Sequence, residues 1–180
     1  MRALVFMADV ICFAGFGWAM LRHFRRAGPP KPAMVLTGLC VPGFAAVHLT
    51  GVLTRPLAQP AAALLLYTAS MALFWSAIAA TRGKNFAACF QEQVGSTVVR
   101  VGPYRSIRHP FYTSYILTWL AGFAATGWWP AGAIAAVMAC VYQCAALQEE
   151  RNFLRSPLRE DYSRLMRETG RFLPRLGGRQ

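Results

Sequence analysis

Long uncharged apolar stretches alternate with short basic knots along this chain, and the stretches have the length of helices that cross a bilayer. Residues 3–21 form the first, interrupted only by Asp9, a lone acid near a helix end that is expected to reach the interface. A basic, proline-rich link from Arg22 to Pro32 ends that helix. Residues 33–53 then run uncharged for 21 residues, with Pro42 as an expected kink and His48 as a polar group expected to pack between helices. After Thr54-Arg55-Pro56, Pro60–Thr81 supplies a third uncharged stretch of 22 residues. From Pro110 to Gln148 there are 39 residues without Asp, Glu, Lys or Arg, about twice the roughly 20 that one span needs. This run folds as two helices. Gly127-Trp128-Trp129-Pro130 near its middle supplies a breaker, two indoles suited to the interface and a proline to open the next helix, which predicts a hairpin of Pro110–Thr126 and 128–147.

Between the third and fourth stretches, residues 85–101 are mixed; 91–100 carry a weak hairpin pattern, and the segment reads as an ordered loop. Beyond Glu150 the chain is polar and basic. Ser156-Pro157 reads as an N-cap and first helical residue, with a helix from Leu158 that stops at Gly170, followed by Arg171-Phe172-Leu173-Pro174-Arg175. The predicted fold class is therefore all-α: a polytopic membrane protein with five transmembrane helices, the last two a hairpin, plus a cytoplasmic C-terminal helix and tail, in one domain over residues 1–180.

Composition strengthens this reading. The chain is 56% hydrophobic and 14% charged, too apolar for a soluble domain of 180 residues. Its net charge of +12 suits nucleic acid in principle, but the basic residues sit between apolar spans and in the tail, where they orient a membrane protein. Of the 19 Lys and Arg, 17 fall on one side of the five expected spans and only Arg2 and Arg55 on the other. By the positive-inside rule the N-terminus faces out and the C-terminus lies in the cytoplasm, with the bacterial inner membrane as the expected location. The first stretch lacks a clear cleavage site and is expected to stay as a membrane helix. Cysteines at 12, 40, 89, 140 and 144 form no CxxC pair, so neither a zinc site nor a disulfide framework is indicated.

Candidate chemistry gathers in Gly102-Pro103-Tyr104-Arg105-Ser106-Ile107-Arg108-His109-Pro110-Phe111-Tyr112. Gly102-Pro103 marks a turn, and Pro110 suits the first position of a helix, where no amide donor is missed. Taken alone, Arg105 and Arg108 are equally read as juxtamembrane anchors. The hairpin alters the balance, because it returns Glu149-Glu150 to the membrane face that carries Arg108-His109. Paired acids at the exit of a span are unusual in a chain with seven Asp plus Glu, and the positive-inside rule does not call for them.

The ordered set Gly102-Pro103-Tyr104-Arg105, Arg108-His109-Pro110-Phe111-Tyr112, Glu149-Glu150, Tyr162 and Arg171-Phe172-Leu173-Pro174 resembles the isoprenylcysteine carboxyl methyltransferase and phospholipid methyltransferase superfamily over residues 82–174. That resemblance implies S-adenosylmethionine as methyl donor, bound at the cytoplasmic ends of the last two spans and covered by the C-terminal segment. It carries His109 and Tyr112 onto the cofactor-binding histidine-proline-tyrosine element and Glu149 and Glu150 onto the paired acids. Tyr104, Arg108 and Tyr162 join them as candidate cofactor-binding residues, with Arg171 and Glu150 as candidate catalytic ones. Ser114 stands where many members have glycine, and Leu165 where a second tail tyrosine is common.

A sulfonium methyl is already activated, so transfer needs chiefly a nucleophile held close in a water-poor site. A carboxylate acceptor requires no base; an amine must lose a proton, for which His109, Tyr104 or a glutamate would serve. Carboxylate O-methylation is favoured, with N- or S-methylation open. The acceptor is expected to be a lipid or a small apolar molecule entering sideways from the bilayer, with Phe111, Tyr115 and Trp119 as candidate borders of an entry groove. Two other readings stay open: an NADPH-dependent membrane reductase of sterol-reductase type, which shares a similar arginine-histidine-proline element, and a non-catalytic lipid-binding protein whose basic tail grips anionic headgroups.

Overall fold

A computed structural model describes residues 1–24, 32–82 and 97–175. Among these residues six α-helices follow one another: α1 (Arg2–Arg22), α2 (Pro32–Thr54), α3 (Pro60–Thr81), α4 (Pro110–Thr126), α5 (Trp129–Leu154) and α6 (Arg159–Glu168), with a short 3-10 helix at Gly102–Arg105. No strand appears among the described residues, and the weak hairpin pattern at 91–100 falls largely outside them. Among the described residues three helices, α1, α3 and α5, are long and apolar enough to cross a membrane; α4 has 17 residues, and the apolar stretch described in α2 runs over Val41–Thr54.

Local chemistry explains the boundaries. Proline occupies the first turn of α3, α4 and α5, where its missing N–H leaves no bond unmade. Gly127 closes α4 at φ 61°, and its amide donates to the Phe123 carbonyl at 2.7 Å; a left-handed residue at this position costs glycine nothing. α5 does not stop at Leu147, as expected, but continues seven residues further to Leu154. The end of the uncharged run marks where apolar surroundings end, while Gln148 to Leu154 are helix formers without a breaker before Ser156-Pro157. Glu149 and Glu150 therefore ride on α5 itself. α6 is shorter than expected: the Ser156 hydroxyl accepts from the Leu158 amide at 3.1 Å, which uses Ser156 in the preceding turn instead of at the cap.

α3 and α4 pack along their length. The amides of Ala58 and Gln59 donate to the carbonyls of Ala125 and Ala124 at 2.8 and 3.2 Å, tying the start of α3 to the end of α4, and Ser70 bonds the Ser114 carbonyl at 2.7 Å and the Thr118 hydroxyl at 2.8 Å. An aromatic core fills the space toward α1 and α5. Phe16 meets Phe74 and Tyr115 edge-on at 5.0 and 4.6 Å, and the Trp119 indole approaches the Tyr142 hydroxyl at 3.5 Å. Phe111, Tyr115 and Trp119, expected to border an entry groove, are buried in this core at 2–6% exposure. Asp9 also departs from expectation. It has no exposed surface and faces His48, because seven residues separate it from the start of α1, too far for its short side chain to reach the helix end.

Candidate functional site

Gly102 adopts φ 58° and brings the backbone so close to α3 that an added Cβ would lie 3.1 Å from that of Ala80. The 3-10 turn that follows buries Tyr104 and delivers Arg108 and His109 to the start of α4, with His109 at the N-cap. Tyr112 lies one turn further on. α5 contributes Glu149 and Glu150 from its last turns, and the hairpin faces them toward His109 and Tyr112.

The C-terminal segment closes over this end as a strap. Its backbone pairs with the residues before α4: Arg108 and His109 amides donate to the Gly170 and Arg171 carbonyls at 2.9 and 3.1 Å, the Gly170 amide donates to Ser106 at 3.1 Å, and Ile107 and Gly170 form a parallel bridge. The Thr113 hydroxyl reaches the Phe172 carbonyl at 3.0 Å. Glycine is required at 170, since a Cβ would run into the Leu173 carbonyl.

Glu150 is the hub of the cluster. Its carboxylate accepts from Arg108 Nε at 3.0 Å, from Arg171 Nε and Nη2 at 3.0 and 2.7 Å, and lies 3.2 Å from His109 Nε2. Only 4% of its side chain is exposed. Arg108 also donates through Nη1 to the Met166 carbonyl at 3.3 Å and to the Thr169 carbonyl, tying the end of α6 to the same point. Glu149 is placed differently, 26% exposed, with the Tyr112 hydroxyl donating to one oxygen and His109 Nδ1 3.6 Å from the other.

Electrostatics follow from these contacts. Burial opposes a charge on His109, but hydrogen bonds to Glu149 and Glu150 outweigh it and raise its pKa. Burial, reinforced by Glu149, holds the Tyr104 hydroxyl protonated with its pKa well above the usual value. Burial and then Glu150 do the same at Tyr162. The hydrogen bond to Glu150 raises the pKa of Arg171.

All eight residues singled out from the sequence thus fall at one end of the bundle, but in different roles. Arg108, His109, Tyr112, Glu149, Glu150 and Arg171 form one connected network. Tyr104 is buried below it, and Tyr162 stacks on Phe153 at 4.4 Å and senses the charges of Glu150 and Arg108. Arg105 is exposed outside the cluster. The sequence reading missed Tyr142, which stacks on Tyr112 at 5.5 Å and 17°, so that His109, Tyr112 and Tyr142 form a column of rings. Its signal was present, because Tyr142 precedes Glu149 by seven residues, two turns on the same helix face.

Compared with models of known families, residues 58–160 match the phospholipid methyltransferase family, over more than half of the chain. A search of curated proteins finds no match. The matched segment holds Tyr104, Arg108, His109, Tyr112, Glu149 and Glu150, begins earlier than residue 82, and ends before Tyr162 and the strap.

Proposed function

The chain belongs to the phospholipid methyltransferase family, and from that membership we propose that it transfers a methyl group from S-adenosylmethionine to a lipid-like or small apolar acceptor at the cytoplasmic membrane interface. The observation that carries this reading is the partition of the two acids: Glu150 locks the strap, and Glu149, joined to Tyr112 and His109, keeps a partly exposed carboxylate.

The donor set suits the cofactor. Glu149 offers acceptors for ribose hydroxyls or an amino group, and Arg171, 28% exposed, keeps a guanidinium edge for a carboxylate. When bound, S-adenosylmethionine supplies an activated methyl group. The chain's own residues orient and exclude water: the strap covers the end of α4, and Glu150 holds Arg171 and Arg108 in place. A carboxylate acceptor needs no base; for an amine, the partly exposed Glu149 is placed to take the proton. Family membership favours this reading over a reductase or a lipid-binding scaffold.

We further propose five spans, with α2, whose 23 residues suffice in length, and the 17-residue α4 joining α1, α3 and α5. The 17 to 2 distribution of Lys and Arg supports a cytoplasmic strap. Native mass spectrometry of the protein released from detergent tests the cofactor: co-purified S-adenosylmethionine or S-adenosylhomocysteine supports the reading, and co-purified NADP overturns it.

A further inference from the structure

A buried polar cluster also lies away from this site. Asp9 of α1, His48 of α2 and Tyr67 of α3 meet inside the bundle, where His48 Nε2 is 3.2 Å from the Tyr67 hydroxyl and 3.6 Å from Asp9 Oδ1. The side chains of Asp9 and His48 have 0% exposure. α4 is shaped around them. Gly122 faces the imidazole so closely that a Cβ would overlap it, and Trp119 meets it edge-on at 5.7 Å. Four helices converge on one imidazole, and Gly122 is about 20 Å along α4 from His109 at about 1.5 Å per residue. α1 and α2 precede the family-matched residues, whereas α3 and α4 belong to them.

Hydrogen bonding here is incomplete. Neither carboxyl oxygen of Asp9 nor Nδ1 of His48 has a partner at full hydrogen-bond geometry among the described residues; the Tyr67 hydroxyl and His48 Nε2 are the polar groups beside the carboxyl. Lipid cannot supply that partner, and native interiors leave very few such atoms unmet. We propose that Asp9, His48 and Tyr67 form a buried water site that anchors the two N-terminal helices to the family core. The donor set suits water, which makes about three bonds when buried: a carboxyl that accepts, an imidazole nitrogen that accepts or donates, and a phenol that does either. A structural zinc ion needs about four ligands, and no group of three His, Cys, Asp or Glu gathers here among the described residues. A lipid headgroup has no exposed surface by which to enter.

Water-edited solid-state NMR on the full chain in lipid bilayers tests this, with labelled His, Asp, Glu and Phe and with His48 assigned by its loss in His48→Asn. Polarisation from water is expected to reach the His48 ring and the Asp9 carboxyl as quickly as the partly exposed Glu149, and severalfold faster than Phe74 in the aromatic core. Asp9→Asn, which keeps a polar group of the same shape, should preserve the transfer to His48; Asp9→Leu should abolish it. Transfer no faster than to Phe74 would mean a dry node and overturn the proposal. So would resonances of Asp9 that move when sodium is replaced by choline, which would mark a bound cation.

Discussion

Glu150→Gln removes the hub of the strap while preserving its shape. In the native protein the carboxylate accepts from Arg108 Nε and Arg171 Nε at 3.0 Å each and from Arg171 Nη2 at 2.7 Å, with His109 Nε2 at 3.2 Å. An amide keeps one acceptor oxygen but turns an N–H toward one of these donors, and it leaves two guanidiniums without their counter-charge. The Arg108 side chain is 9% exposed and finds little water in exchange. Breaking a buried pair by removing one partner costs about 3 to 5 kcal/mol. Arg171, at 28% exposure, recovers part of its hydration, so the lower end, about 3 kcal/mol, is expected. That is about a hundredfold in the closing equilibrium of the strap. Thermal unfolding in detergent reads the global effect, and tryptic cleavage at Arg171 and Arg175 reads the strap itself. Glu149→Gln is the control: its strap should stay protected while cofactor affinity falls by about 1 to 3 kcal/mol for a lost hydrogen bond to a charged group. Tryptic protection of Arg171 that is unchanged in Glu150→Gln would refute the hub.

Other outcomes follow from the same geometry. Because the pKa of His109 is raised, its contribution to stability should be complete below the ordinary histidine value of about 6.5 and should fade as pH rises through the raised folded value. Melting temperature against pH should therefore decline over that window in the native protein and flatten in His109→Gln. Gly170→Ala should displace the strap, because its Cβ meets the Leu173 carbonyl, at a cost of about 1 to 3 kcal/mol typical of overpacking, read by the same proteolysis. Arg171→Lys should lose methyl transfer despite its retained charge, since an ammonium cannot reproduce the two-point contact through Nε and Nη2, and a lysine enzyme of native activity would contradict this. Reporter fusions should place the C-terminus in the cytoplasm; a periplasmic C-terminus would sink the proposed orientation.

The sequence was most legible where the determinant is local. Pro60, Pro110 and Gly127 sit where their own backbone preferences place helix starts and a left-handed end, so Pro60–Thr81 and Pro110–Thr126 appear with the expected bounds. Legibility failed where a residue's fate depends on partners from other helices. Asp9 reads as an isolated acid until α2 and α3 bring His48 and Tyr67 to it. Phe111, Tyr115 and Trp119 have a spacing that fits a lipid-facing stripe as well as a buried one. Burial is decided by Phe16, Phe74 and Tyr142, which lie on three other helices.

The paired acids show how one misplaced boundary hides a division of labour. Read as two letters just beyond a span, Glu149 and Glu150 are equivalent, and either can be assigned to the cofactor. On a helix, successive residues point about 100° apart. Once α5 extends to Leu154, Glu150 shares a face with buried Ala146, and Glu149 shares one with Tyr142 two turns back. The first face turns toward Arg108 and Arg171, which neutralise and immobilise the carboxylate; the second turns toward Tyr112 and stays partly exposed. The helical rotation that makes one acid a structural anchor leaves the other available to a ligand. On the proposed function, strap closure and ligand contact are thus separate tasks for adjacent acids at one height of the bundle.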